Sequence, residues 1–357
     1  MQQTRAAGVR WWQALDPPIY LISVLPGVAA WLSTGSTGQP LLEVALATLA
    51  VILLQHAINV LNDVSDWRLG ADAEKAHSWA RFHRLNLRVA ATHGNISLLA
   101  GCLLGLAVLV QADKLWILAG AAPLVLLGYL YNSGPRPLSY GHLGEWVTGL
   151  CYGPGVYGSL WLLANGRLSL AVIPGSLAFF ALSVALLLSH QPPQIETDRQ
   201  AGKHSFAVRF GARQTRRTAR LLYLVFLLSF GGAVWLAKLT MAGRSAFMLA
   251  ALVSGLAVLL SRPSPRRILT GATGVIVATL LLQLASVSGA LGQHVSRTAT
   301  GATTADSMRK ALPRFDRRLN EEPGYDRAES GNGFKPGLRT DGSIRADQGC
   351  VHGAISV

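Results

Sequence analysis

Long apolar runs separated by short polar loops dominate the pattern of this chain. A helix needs about 20 mainly apolar residues to cross a bilayer. By that measure the runs predict spans near 18–34, 41–61, 95–111, 115–131, 144–164, 169–189, 220–237, 245–261 and 268–290. The first run is preceded by RWWQALDPP, an amphipathic entry with tryptophans suited to a membrane interface. No small-residue cleavage site follows it, so it is not expected to be a removable signal. The polar positions change character after residue 292. The remaining stretch, 293–357, lacks apolar periodicity and is rich in Gly, Arg, Asp, Ser and Thr. It is expected to be a disordered tail without chemistry. The predicted fold class is therefore all-α and integral to the lipid bilayer, with about nine transmembrane helices in residues 1–292.

Charge adds a direction. The loops that share a side with the N-terminus carry eighteen basic residues, from Arg5 and Arg10 through Arg68, Arg136 and Lys203 to Arg266 and Arg267. The opposite loops carry four, Lys114, Arg167, Lys238 and Arg244. The positive-inside rule then puts the N-terminus in the cytoplasm, and nine spans put the C-terminus outside. The formal charge of +14 is read as topology and not as a nucleic-acid surface, because the basic residues sit between apolar runs. Half of the 357 residues are apolar and 14% are charged, well below the roughly 25% usual in soluble domains. Cys102, Cys151 and Cys350 are too few and too scattered for a disulfide framework or a zinc site.

Chemistry is suggested by where the few acids fall. Residues 1–290 hold ten Asp and Glu, and six of them form two clusters on the cytoplasmic side: Asp63, Asp66, Asp72 and Glu74, then Glu196 and Asp198. Carboxylates at membrane-helix ends are costly unless paired, solvated or bound to metal. Gln55, Asn59, Asn62 and Asp66 recur at helical spacing with Asp63 beside them, so one polar stripe ends in carboxylates. Such hard oxygen donors suit Mg²⁺, which takes one or two carboxylates along with phosphate oxygens and water. The second cluster, SHQPPQIETDRQAGKHSFAVRFG, places Gln191, Gln194 and Asp198 on one face, with Lys203 and Arg209 beyond them for a polyphosphate. The competing readings are a solvated helix end at 59–66, an ion pair of Glu196 or Asp198 with Arg199 or Lys203, and a surface position for Glu74. His56 and His190 are read as hydrogen-bonding groups between helices.

These residues resemble the UbiA superfamily of membrane prenyltransferases. The first signature, N-x-x-x-D-x-x-D, stands as Asn59, Asp63 and Asp66, and the following Asp72 is most similar to the dihydroxynaphthoate branch. The second ends in a G-K-x-S string at Gly202, Lys203 and Ser205, continuing to Val208, Arg209 and Gly211. A third, YNSGPRPLSYGHLGEWVTGLCYGP, carries Tyr131, Asn132, Pro135, Tyr140, Gly144 and Glu145. The resemblance spans about residues 10–290. It implies a ring of nine helices around a central cavity and Mg²⁺-dependent prenyl transfer from a polyprenyl diphosphate to an aromatic quinone precursor. It implies Asp63, Asp66 and Asp198 as catalytic metal ligands, with Asp72 a further ligand. Asn59, Asn62, Gln194 and Glu196 would assist, Lys203, Arg136 and Arg209 would bind phosphate, and Tyr131 and Tyr140 would face the allylic cation.

One departure bears on activity. The second signature of the family begins with Asp where this chain has Gln194. This implies weaker Mg²⁺ binding there, transfer of the duty to Glu196 and Asp198, a specialised acceptor, or a member without turnover. Other acceptors within the superfamily are 4-hydroxybenzoate, homogentisate, haem, chlorophyllide and lipid. A transporter fits less well, because the acids lie at one membrane face and the other face lacks matching polar groups.

Overall fold

The structure, a computed structural model, describes residues 9–35, 40–71, 75–134 and 137–311, with side chains described to residue 289. All regular elements among them are helical. The long helices are α1 (Leu21–Leu32), α2 (Leu41–Leu69), α3 (Leu87–Gln111), α4 (Leu118–Asn132), α5 (144–165), α6 (Val172–His190), α7 (Phe206–Leu236), α8 (Met241–Leu260) and α9 (Pro265–Ala311). Eight stretches of the described residues are long and apolar enough to cross a membrane. The fifth expected span, α5, is interrupted instead: Gly144–Leu150 and Ser159–Asn165 are α-helical, and Cys151–Gly158 between them is a π-helix. Pro154 lies in that widened turn, where its missing N–H removes a helical bond.

Three boundaries differ from the sequence expectation, each for a physical reason. Helix α2 runs on past residue 61 to Leu69 and carries the first acidic cluster with it; Gly70, at φ 86°, ends it in a left-handed cap. Helix α3 begins at Leu87, because the Asn86 side chain accepts the Val89 N–H and caps a polar first turn that hydropathy alone would not extend. Helix α7 begins at Phe206 and is bent at Gly211 (φ 75°, ψ 164°), so a short arm carrying Arg209 precedes a long one that opens on Arg213, Arg216, Arg217 and Arg220 and continues apolar. Helix α9 is described as far as Ala311. Residues 312–357, including Cys350, lie outside the described residues.

The core sits where α1, α5, α6, α7 and α9 meet. Tyr157 stacks on Phe179 at 5.1 Å between ring centres, and Phe179 meets Phe226 and Phe230 edge-on. Helix α5 approaches α6 through glycine. A Cβ on Gly153 would lie 2.5 Å from the Ser176 carbonyl oxygen, so no other residue fits there. On the outer surface, Leu42, Leu228 and Leu260 are exposed. Exposed leucines along apolar helices are what a lipid solvent selects.

Polar bonds tie the two ends of the bundle differently. At one end Lys114 donates to the Leu163 carbonyl, while Gln283 accepts from Thr240 and donates to the Gly35 carbonyl. These bonds satisfy backbone groups at loop ends. The other end holds the carboxylates.

Candidate active site

Helix α2 delivers the first group of side chains. Asp63 and Asp66 are 5% and 4% exposed. Asp63 accepts from the Trp79 backbone N–H at 2.6 Å and pairs with Lys75 Nζ at 2.7 Å. Trp79 opens the short helix Trp79–Phe82, which Ser78 caps by accepting from Arg81 N. Asp66 accepts from Asn62 Nδ2 and from the Tyr140 hydroxyl, each at 2.8 Å. Asn62 and Asp66 are one helical turn apart, which is why the amide reaches the carboxylate.

The second group comes from the bend between α6 and α7. Pro192 and Pro193 break α6, and a short helix, Ile195–Gln200, carries Asp198 back into the protein. Asp198 is 4% exposed and accepts from Ser205 Oγ at 2.7 Å. Lys203 N donates to the Asp198 carbonyl, and Lys203 Nζ lies 3.5 Å from Asp66 Oδ2. That ammonium also stands 5.1 Å from the centre of the Tyr140 ring. The Tyr140 carbonyl accepts the His204 N–H. Asp66, Tyr140, Lys203 and Asp198 thus join three distant sequence segments into one network.

Beneath this network lies Glu145, 4% exposed. Its Oε1 accepts from Gln191 Nε2 and from Phe206 N, both at 2.7 Å. Gln191 in turn accepts from Ala207 N at 3.3 Å. Ser205, in the capping position of α7, makes no side-chain cap because its hydroxyl serves Asp198. Glu145 and Gln191 therefore satisfy the open N–H groups of α7 from outside the helix, where a carboxylate is favoured. Sequence reading set Gln191 on the face of Gln194 and Asp198 and Glu145 in the third motif, but assigned neither a partner. The signal available was a buried acid in the first turn of an otherwise apolar helix, and only the third dimension reveals that it caps another one.

The remaining expected site residues are placed less uniformly. Tyr131 is half-buried at the end of α4. Asn59 is half-buried on α2, one turn before Asp63. Gln194 is half-buried, and its backbone carbonyl accepts from Thr197. Glu196 points outward: it is exposed, paired with Arg199 at 2.8 Å and bonded to Gln200. The competing reading of Glu196 as half of a surface ion pair describes its placement, because an outward turn of the short helix leaves no path to the buried carboxylates. Arg209 is also exposed, 4.8 Å from the Phe210 ring centre and 3.5 Å from the His142 carbonyl oxygen. Asp72, Glu74 and Arg136 lie outside the described residues. Among the described residues no three His, Cys, Asp or Glu side chains converge closely enough to form a ready-made metal cage.

A family model, the UbiA prenyltransferase family, matches residues 20–267. The chain belongs to the UbiA prenyltransferase family. It is accordingly a prenyltransferase and an integral membrane protein, as the three motifs implied. It is 31% identical to a 2-carboxy-1,4-naphthoquinone phytyltransferase of Synechocystis, over 60% of this chain and 72% of that protein. It is 32% identical to a 1,4-dihydroxy-2-naphthoate octaprenyltransferase of Mycobacterium tuberculosis, over 53% of this chain and 64% of that protein. Its fold is similar to that of a UbiA homolog from Archaeoglobus fulgidus bound to DMAPP and Mg²⁺, with a TM-score of 0.54 and 17% identity, over 78% of this chain and 98% of the other.

Proposed function

We propose that the chain transfers a prenyl group from a polyprenyl diphosphate to a hydroxylated naphthoate-type acceptor, with Mg²⁺, at the carboxylate end of the bundle. The network joining Asp66, Tyr140, Lys203 and Asp198 carries this reading. The names of the relatives support the acceptor class, and the prenyl diphosphate and Mg²⁺ of the similar structure support the donor. The eighteen-to-four bias of basic loops supports a cytoplasmic N-terminus and a cytoplasmic site.

The donor set fits such an ion. Asp63, Asp66 and Asp198 are hard, buried oxygen donors, and Mg²⁺ needs only one or two carboxylates when phosphates and water complete its shell. A three-residue cage is therefore not required. Bound Mg²⁺ would supply neutralising charge to the leaving diphosphate. Lys203, now 3.5 Å from Asp66, is free to lean toward phosphate while its backbone stays fixed on Asp198. Lys75 occupies Asp63 and would give way to an arriving cation. Tyr140 holds Asp66 in one orientation and offers its ring face to positive charge, an attraction worth about 0.5–2 kcal/mol. The apolar helices keep water from the carbon end of the donor.

Gln194 supports a second reading, a member that binds prenyl diphosphate without turnover. Pyrophosphate release from the reconstituted protein separates the two: Mg²⁺-dependent release that rises with an aromatic acceptor supports transfer, and binding without release supports the second.

A further inference from the structure

Three histidines that the site does not use lie in a continuous line. The Tyr20 hydroxyl is 2.7 Å from His56 Nδ1. His56 Nε2 is 3.1 Å from His93 Nε2. His93 Nδ1 is 3.1 Å from His83 Nε2. The inner end, Tyr20, is buried, and its partner His56 stands on α2 about two helical turns before Asp63. The outer end, His83, lines an open surface cavity of about 470 Å³ with Arg88, Thr92 and His93.

Counting protons constrains this line. A neutral imidazole carries one N–H, and each of the three bonds needs one hydrogen. If Tyr20 donates to His56, then His56 must donate through Nε2, His93 through Nδ1, and His83 must hold its proton on Nδ1. If His56 donates to Tyr20, every assignment reverses. Only these two tautomer sets satisfy all three bonds, and passage of one proton converts the first into the second. Burial lowers the pKa of His83, which favours the neutral ring at that end.

The surroundings insulate the line. Trp79 is 5% exposed and meets His56 and His93 edge-on, with ring centres 4.9 and 5.0 Å away. Phe82 packs against Trp79 and His83. After His83, Arg84 and Leu85 both adopt left-handed backbone (φ 52° and 64°), a strained pair that turns the chain into α3. That turn holds His83 against His93.

We propose that Tyr20, His56, His93 and His83 form a proton relay that ionises the acceptor hydroxyl during prenyl transfer. The proposal rests on the reading of the chain as transferring to a hydroxylated aromatic. In the step, the acceptor O–H proton passes to Tyr20 Oη as the Tyr20 proton passes to His56 Nδ1. The His56 Nε2 proton passes to His93, the His93 Nδ1 proton to His83, and the His83 Nδ1 proton to water in the cavity. One proton enters and one leaves. The acceptor keeps the O–H electron pair as a phenolate, whose ring attacks the allylic carbon more readily. Tyr20 is the base that meets the acceptor, and the histidines act through it.

The test is steady-state prenyl transfer by the reconstituted full chain and by His83→Ala and Tyr20→Phe. Proton transfer by a positioned group contributes about 10²–10⁴-fold. Loss of the outermost carrier is expected to lower kcat roughly 10²–10³-fold, the lower part of that range, with KM for prenyl diphosphate unchanged. Small imidazoles fit the cavity and should restore His83→Ala, with the restored rate following their basicity. Tyr20→Phe should lose turnover that no imidazole restores. Full turnover in either variant, a loss in His83→Ala that no imidazole repairs, or repair that ignores basicity overturns the relay alone. Absence of transfer by the unsubstituted chain with every acceptor removes the proposed reaction and the relay together.

Discussion

Glu145 is the most informative residue to perturb, because its buried carboxylate accepts two hydrogen bonds on one oxygen and holds α7 to α6. Removing it in Glu145→Ala leaves the Phe206 N–H and an N–H of Gln191 without an acceptor. Each buried unsatisfied donor costs about 1–3 kcal/mol, so the variant should lose about 2–6 kcal/mol. Glu145→Gln keeps an acceptor oxygen but not the charge. Two charge-assisted bonds of about 1.5–3 kcal/mol then fall to neutral ones of about 0.5–1.5, a loss of about 2–3 kcal/mol in total. Removal of charge from the N-terminus of α7 adds about 0.3–1 kcal/mol. Reversible unfolding in mixed micelles measures both variants against the parent chain. Stability unchanged in Glu145→Ala would refute the idea that Glu145 caps α7. Glu145→Gln costing more than Glu145→Ala would refute the account of the charge.

Asp63→Asn should abolish Mg²⁺-dependent turnover while the protein still inserts and folds; activity equal to the parent would take Asp63 out of the ion site. Tyr140→Phe keeps the ring beside Lys203 but removes the bond to Asp66, so kcat should fall about tenfold, in line with a charged hydrogen bond of about 1.5–3 kcal/mol, while the yield of folded protein holds. Gln194→Asp should lower the Mg²⁺ concentration for half-maximal turnover, and an unchanged Mg²⁺ titration would separate position 194 from the ion. Gly153→Val should prevent the close approach of α5 and α6 and cost the folded yield, whereas Gly105→Ala, whose Cβ would sit 3.7 Å from Ala50 Cβ, should be tolerated. Size-exclusion profiles of the two variants in detergent compare them directly.

Much of the architecture was legible because lipid imposes a simple length rule on apolar runs, and the α5 run was found even though a π-helix divides it. The carboxylates Asp63, Asp66 and Asp198 were legible because acids are rare in such helices and their burial follows. Helix ends were less so: α2, α3 and α7 extend through polar residues that hydropathy assigns to loops, held by Gly70, by Asn86 and by Glu145 from another helix. The placement of Glu196 was not legible, since standing two residues from Asp198 says nothing of which side of a short helix faces inward. His56 was rightly read as a hydrogen-bonding group, but its line to His83 depends on contacts between α2, α3 and the turn before α3 that no local pattern encodes.

The central claim is that this end of the bundle transfers a prenyl group to an aromatic acceptor. Pyrophosphate release from purified protein in lipid vesicles tests it most directly, with geranylgeranyl or longer diphosphates, with and without Mg²⁺, across hydroxylated naphthoates and other aromatic acceptors. The account predicts release that requires Mg²⁺ and rises with a naphthoate-type acceptor, together with a prenylated product. Folded protein that binds the diphosphate yet releases no pyrophosphate with any acceptor would contradict it.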